Sequence, residues 1–238
     1  MKKGISTLIL VCLYNIYFYQ LRAQTSFTSG LLPKVVVSNK LSNTIKLVNS
    51  LESRQQLWEH QPDQNFSYDY LLTDLTTILS YKISSDKVFN VGYLLRLEEN
   101  QLIHRSIIQY SIARQLESMR VAHRFVTDQT FSSKESPEFR LRYRITIEVP
   151  FNGYRVDPGE FYLKVNNEYL GAYQSTNTDL EIRIIPFIGY ELNQKSKIEI
   201  GPDYRISQLF ESKTKNRLWL SINYYYAIDW TKPIQNEN

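Results

Sequence analysis

Three groups of residues in this 238-residue chain have the types and spacing to do chemistry. His104 and Ser106 flank Arg105, and on an extended backbone residues two apart share a face, as a general base and its nucleophile would. No third residue obviously orients the imidazole, so the plainer expectation is a histidine at an interface, beside the polar connection Glu98-Glu99-Asn100-Gln101. The carboxylates Glu98, Glu148, Glu168 and Glu199 can be drawn as acid–base pairs. The third group, Arg140, Arg142 and Arg144, alternates with Leu141 and Tyr143, so these guanidiniums point one way and make ion pairing the expected role of the acids. No zinc-ligand spacing, phosphate-cradling glycine loop or dinucleotide fingerprint occurs, and neither a metal nor a cofactor is expected.

Those arginines sit in Glu138 to Pro150, the most regular stretch of the chain. Phe139, Leu141, Tyr143, Ile145, Ile147 and Val149 take one set of alternating positions, and Arg140, Arg142, Arg144, Thr146 and Glu148 the other. A strand is apolar on one side and charged on the other under this pattern, whereas a helix would smear the arginines around its circumference. Similar alternation predicts strands at Thr44–Leu57, Tyr70–Ile83, Val88–Glu99, Ile103–Gln115, Met119–Phe131, Phe161–Leu170, Leu180–Leu192, Ile198–Ile206 and Arg217–Trp230. Pro186 points to a bend or bulge within its strand. With Glu138–Pro150 the long strands number ten; twelve is the alternative, if Lys34–Asn39 and part of a long connection also pair. Short turns at Ser84-Ser85-Asp86, Leu116–Ser118 and Asn193–Lys197 fall between longer, more polar joins, as in an up-and-down barrel with turns at one rim and loops at the other.

The amino terminus has the form of an export signal: Lys2 and Lys3, an uncharged apolar run from Ile5 to Tyr19, then Ala23 where a signal peptidase needs a small residue. Cys12 lies inside the apolar run behind Val11, which disfavours a lipid anchor. Cleavage would remove Lys2, Lys3 and Arg22, lowering the formal charge from +4 to +1. It would also remove the chain's one cysteine, leaving neither disulfide nor thiolate site. No basic stripe set among stacking aromatics remains to suggest a nucleic-acid partner. The expected organisation is a signal peptide at 1–23, an N-terminal segment at 24–43 with a possible short strand, a barrel at 44–230 and a polar tail at 231–238.

Two architectures fit an alternating all-β chain, a soluble sandwich or lipocalin-like barrel and a transmembrane barrel with its apolar face turned out. The predicted strands run to about a dozen residues, nearer the 9–11 needed to cross a bilayer than the 5–6 of a typical globular strand. Tyr81, Tyr93, Tyr169, Tyr190, Tyr204, Tyr226 and Trp230 recur along the apolar stripes and are assigned to the membrane interfaces. An arginine facing lipid near the midplane costs about 2–4 kcal/mol, so in a membrane Arg140, Arg142 and Arg144 must face inward. The expected fold is therefore all-β, an antiparallel up-and-down transmembrane β-barrel. Its lumen would hold a charge network of Glu52, Arg54, Arg96, Glu98, Arg124, Asp128, Arg140, Arg142, Arg144, Glu148, Glu168 and Arg183. Outer-membrane lipids and, during insertion, the barrel-assembly machinery are the partners this implies; no protein partner is evident.

Glu52 with Arg54, the block His123–Gln129, the RLRYR block Arg140–Arg144, the segment Gly159–Tyr169 with its NNE sequence, and the striped last strand together resemble an outer-membrane barrel family of Gram-negative bacteria. That family is domain of unknown function twenty-four-ninety. The resemblance implies an outer-membrane location and a barrel, and no activity; Asp128 stands where the family usually has glutamate. Outer-membrane phospholipase A also has a His-x-Ser pair on the lipid side of its barrel, but here Ile107-Ile108 replaces the Asn-Gly that follows the serine there. The reading is an integral barrel with a narrow, charge-filled lumen and a structural or small-solute role. A small diffusion pore with weak anion preference and a lipid-modifying enzyme of phospholipase type are the alternatives.

Overall fold

The structure, a computed structural model, describes residues 26–59, 68–99, 101–211 and 213–231. The expected signal peptide and nearly all of the expected tail lie outside them. Eleven strands follow one another: β1 (Ser26–Lys40), β2 (Ile45–Glu59), β3 (Asp69–Lys82), β4 (Lys87–Glu98), β5 (Gln101–Gln115) and β6 (Arg120–Phe131), then β7 (Glu138–Pro150), β8 (Phe161–Gln174), β9 (Asn177–Asn193), β10 (Ser196–Ser207) and β11 (Lys215–Asp229). Each pairs antiparallel with the next, and β1 closes the barrel against β11. An odd number of alternating strands forces that seam to be parallel, with Val35 beside Tyr224 and Leu31 beside Leu220.

The all-β barrel is thus found, but with eleven strands among the described residues rather than ten or twelve. The added element is β1, where only a short strand at Lys34–Asn39 had been suggested. Its signal was hidden because Leu31-Leu32 and Val35-Val36-Val37 place apolar residues on both faces. The segment Gly171–Asp179, expected to be a loop, is mostly strand: β8 continues to Gln174 and β9 begins at Asn177, with Ser175 taking the left-handed conformation (φ 54°) of a tight hairpin.

Pro186 does not create a bulge between β9 and β10. Pairing lapses there between Ile200↔Ile188 and Tyr204↔Ile184 and resumes in the same register, while the irregularity falls at Ser196/Lys197. Proline has no N–H to give the ladder. The three expected short turns share one rim, since 83–86, 116–119 and 194–195 all lie at the rim where β1 ends, here the second rim. Segregation is incomplete, because that rim also carries the connection 151–160 and the first rim carries the two-residue join 175–176. In the 83–86 turn Ser84 Oγ donates to Asp86 Oδ1 (2.6 Å), which holds that carboxyl below its usual range.

The barrel is inverted relative to a water-soluble one. Leu51, Leu75, Leu79, Val91, Ile108, Phe125, Ile184, Ile188 and Leu220 are all exposed on the outer wall, and Leu141 is 70% exposed. Asp74, Arg105, Asp128, Glu168, Glu181, Glu199, Asp203 and Arg205 are buried inside. A small apolar patch, Leu94, Ile107 and Val126, interrupts the charged interior on β4, β5 and β6.

Candidate functional site: the lumen

Inward-pointing residues arise because each strand keeps its period of two, and antiparallel pairing sets those of adjacent strands side by side. On β6 to β9 this brings Asp128 opposite Arg140, Arg144 opposite Glu168, and Glu168 opposite Arg183. Two carboxylates organise the arginines. Asp128 receives Arg140 Nε at 2.6 Å, has Arg142 Nη2 at 2.6 Å, and has Arg105 Nε at 3.5 Å. Glu168 has Arg144 Nε at 2.7 Å and Arg124 Nη2 and Arg183 Nη1 each at 3.2 Å. Both acid side chains are fully enclosed, so each anion is stabilised by a fan of guanidiniums in place of water.

On the opposite wall Arg96 grips Asp74 with two hydrogen bonds (2.7 and 2.8 Å), and Arg205 grips Asp203 likewise (2.8 and 2.7 Å). Glu181 joins Arg183 (2.5 Å) to Arg217 (2.9 Å), while Glu52 takes Lys34 at 3.1 Å and stands 3.9 Å from Arg54. These groups surround a cavity of about 430 Å³ in the half of the barrel toward the first rim. The expected network is therefore drawn together with two exceptions. Glu98, a third exposed, touches only Arg96 at 3.7 Å, and Glu148 lies in the other half, 3.9 Å from Arg120. Asp74, Arg105, Glu181, Asp203, Arg205 and Arg217 also belong to the network, beyond the residues expected from the sequence; their inward parity on β3, β5, β9, β10 and β11 is the signal that finds them.

The half toward the second rim is filled differently. Glu199 accepts from Tyr162 Oη (2.8 Å) and Tyr225 Oη (3.0 Å), pairs closely with Lys164, and has Lys197 at 3.8 Å. Lys164 lies over the rings of Phe187 (5.3 Å) and Tyr225 (5.6 Å), and Lys197 over those of Tyr162 (5.3 Å) and Tyr225 (5.4 Å). Tyr162 fits because Gly189 is its partner across β8 and β9; a Cβ there would stand 2.1 Å from the ring. Beyond this cluster a recess of about 180 Å³ opens at the second rim, and it shares no lining residue with the larger cavity. Tyr162 and Tyr225 were illegible because a tyrosine on the polar face of a strand reads as a break in the pattern.

His104 and Ser106 lie on the outer wall of β5, both exposed. The orienting group missing from the sequence is present: Tyr93 Oη forms a close hydrogen bond with His104 Nδ1 from β4, where Tyr93 is also the register partner of Ser106. Ser106, however, makes no hydrogen bond to His104 among the described residues. A second outward pair, His123 Nδ1 and Tyr143 Oη at 2.8 Å, shows that a tyrosine-bound histidine recurs on this wall without a serine beside it.

Among the aromatics assigned to the interfaces, Tyr81, Tyr190, Tyr226 and Trp230 stand outward near the second rim, and Trp230 Nε1 donates to Asn39 Oδ1 (3.1 Å). Tyr204 stands near the first rim and donates to Asn216 Oδ1 (2.7 Å). Tyr93 and Tyr169 sit nearer the middle of their strands, away from either rim.

A comparison with the curated proteins finds no match. Among solved structures, the siderophore receptor PirA from Pseudomonas aeruginosa is similar with a TM-score of 0.33 and 14% identity, over 71% of this chain and 33% of the receptor, so the chain spans about a third of that protein's length. Residues 29–217 match the family described as Protein of unknown function (DUF2490), and the chain belongs to that family.

Proposed function

We propose that this protein is an integral outer-membrane β-barrel whose lumen is closed toward the second rim by the Glu199 cluster and widens toward the first into an arginine-lined chamber. One observation carries the reading: around the circuit the outer wall is mostly apolar and the buried interior mostly charged or polar, with aliphatic interruptions that include Leu32 and the Leu94, Ile107 and Val126 patch. In water the exposed aliphatic and aromatic band would be an aggregation surface far beyond the few hundred Å² that soluble monomers expose. Surrounded by hydrocarbon it is the matched face, and the closed ladder leaves no strand edge unpaired in lipid.

Its role is structural or concerned with small solutes rather than with bulk diffusion. The interior is cross-braced by ion pairs between β1 and β2, between β3 and β4, and across each adjacent pair from β5 to β9, and Tyr162 and Glu199 toward the second rim are both 0% exposed. The test is fractionation of the producing cells, followed by electrophoresis with and without heating. The protein should partition with the outer membrane and, folded in detergent, migrate differently before and after boiling. Recovery as a soluble periplasmic protein would overturn the reading.

A further inference from the structure

We infer that the chamber facing the first rim is a binding site for a small dianionic oxyanion, a phosphate or a dicarboxylate. This deepens the closed-lumen reading and rests on it only for the chamber's floor. Eleven cationic side chains line the cavity against six carboxylates. Three further carboxylates, Asp128, Glu168 and Glu98, pair with lining arginines, and counting them still leaves an excess of two positive charges. That excess is confined in a space of about 430 Å³, within the range of small-ligand sites. A ligand carrying two negative charges neutralises it.

Arg54 marks where the anion sits. Every other lining arginine has a carboxylate within 3.5 Å, whereas Arg54 comes no closer than 3.9 Å to Glu52, and Glu52 is already held by Lys34. Arg54 makes no hydrogen bond to any described residue although its side chain is only 12% exposed. A charge so enclosed is costly unless an anion meets it. Its guanidinium is held in place by stacking 5.5 Å over Trp219, which is itself seated on Gly30, where a Cβ would come within 2.7 Å of the ring. The position is prepared before a ligand arrives, and the planar fork suits two oxygens of one oxyanion.

The experiment uses the folded protein in detergent at about pH 8, where phosphate is largely a dianion. Inorganic phosphate and succinate are titrated separately by calorimetry against sodium chloride of equal ionic strength. Saturable binding of either dianion, beyond chloride, is expected; phosphate alone assigns the site to a phosphate group, succinate alone to a dicarboxylate, and both support it. Arg54→Gln, which leaves Lys34 on Glu52, should weaken that binding about tenfold or more. Arg114→Gln removes the same charge from a side chain 73% exposed at the second rim and should change nothing. Absence of binding beyond chloride overturns the proposal, and so does a folded Arg54→Gln protein that binds like the parent. Planar-bilayer conductance of the same preparation separates the two readings: binding with steady conductance sinks the closed lumen and keeps the site, whereas no binding and no conductance does the reverse.

Discussion

Asp128 and Glu168 each hold three guanidiniums, so the consequence of a substitution depends on which side of the fan is cut. Arg142→Ala leaves Asp128 with Arg140 and Arg105, and the expected loss is about 1–3 kcal/mol, the cost of removing one partner from a buried polar group that keeps its others. Asp128→Ala leaves three enclosed cations without their anion and should cost about 3–5 kcal/mol, the usual penalty for stranding buried charge. Denaturant unfolding of the purified variants in lipid vesicles checks the order. Thr146 would pass for a neutral control by sequence, yet its hydroxyl donates to Oδ1 of the buried Asn166 (2.7 Å), so Thr146→Ala should cost about 1 kcal/mol. On the outer wall, Ser106→Ala should alter neither folding nor lipid turnover by the purified protein, because Ser106 makes no hydrogen bond to His104 among the described residues, and His104 Nδ1 is engaged by Tyr93. Loss of a lipase activity demonstrable in the parent would revive the phospholipase alternative. What the sequence showed at this scale was the parity of the charges. It could not show which carboxylate would gather several arginines, since that depends on the register of the strands on both sides and, for Arg124 on Glu168, on a reach across two strands, nor that Tyr93 would reach His104.

At the scale of elements, the long strands were readable wherever apolar and polar residues alternate cleanly, and β7 has the same bounds by pattern and by structure. Legibility failed where the inner face is also apolar, as at Leu32 and Gly30 on β1, because periodicity cannot separate two apolar faces. The parallel seam was out of reach of the pattern altogether, since it follows from the parity of a strand count that β1 itself decides. It has a direct test. Val35 and Tyr224 are register partners on the outer wall, so cysteines at both should form a disulfide on oxidation, and Val35→Cys with Tyr225→Cys should not, since Tyr225 points inward. Electrophoresis under non-reducing conditions reports the bond; a cross-link in the second pair and none in the first would mean a different seam. In β9, Gly189→Ala drives a methyl group into the Tyr162 ring. Overpacking there should destabilise the barrel by about 1–3 kcal/mol, measured by the same unfolding assay.

For the molecule as a whole, the question is whether eleven strands leave a channel. Eight strands give a bore that side chains just fill, and about sixteen leave an aqueous pore, so strand number alone places this barrel between the two. The contents of the lumen decide. Toward the first rim the chamber of about 430 Å³ is lined mainly by charged side chains, and it would pass small ions if it continued. Toward the second rim Tyr162, Tyr225 and Phe187 meet over Lys164, Lys197 and Glu199, and five of these six belong to strands spaced around one arc from β8 to β10, with Tyr225 on β11. Such a cluster resists displacement because its aromatic rings are packed and its one anion is satisfied by two hydroxyls and an ammonium. The parent protein in planar bilayers should therefore show no steady conductance of general-porin size. Tyr162→Ala with Tyr225→Ala removes both rings and two of the donors to Glu199 while leaving every arginine pair in the first half intact. That variant should remain a folded, heat-modifiable barrel and open a small conductance, with anions favoured over cations because the chamber it connects to carries excess positive charge. A steady porin-sized conductance in the parent would mean that the Glu199 cluster does not close the lumen, and the diffusion-pore alternative would take its place.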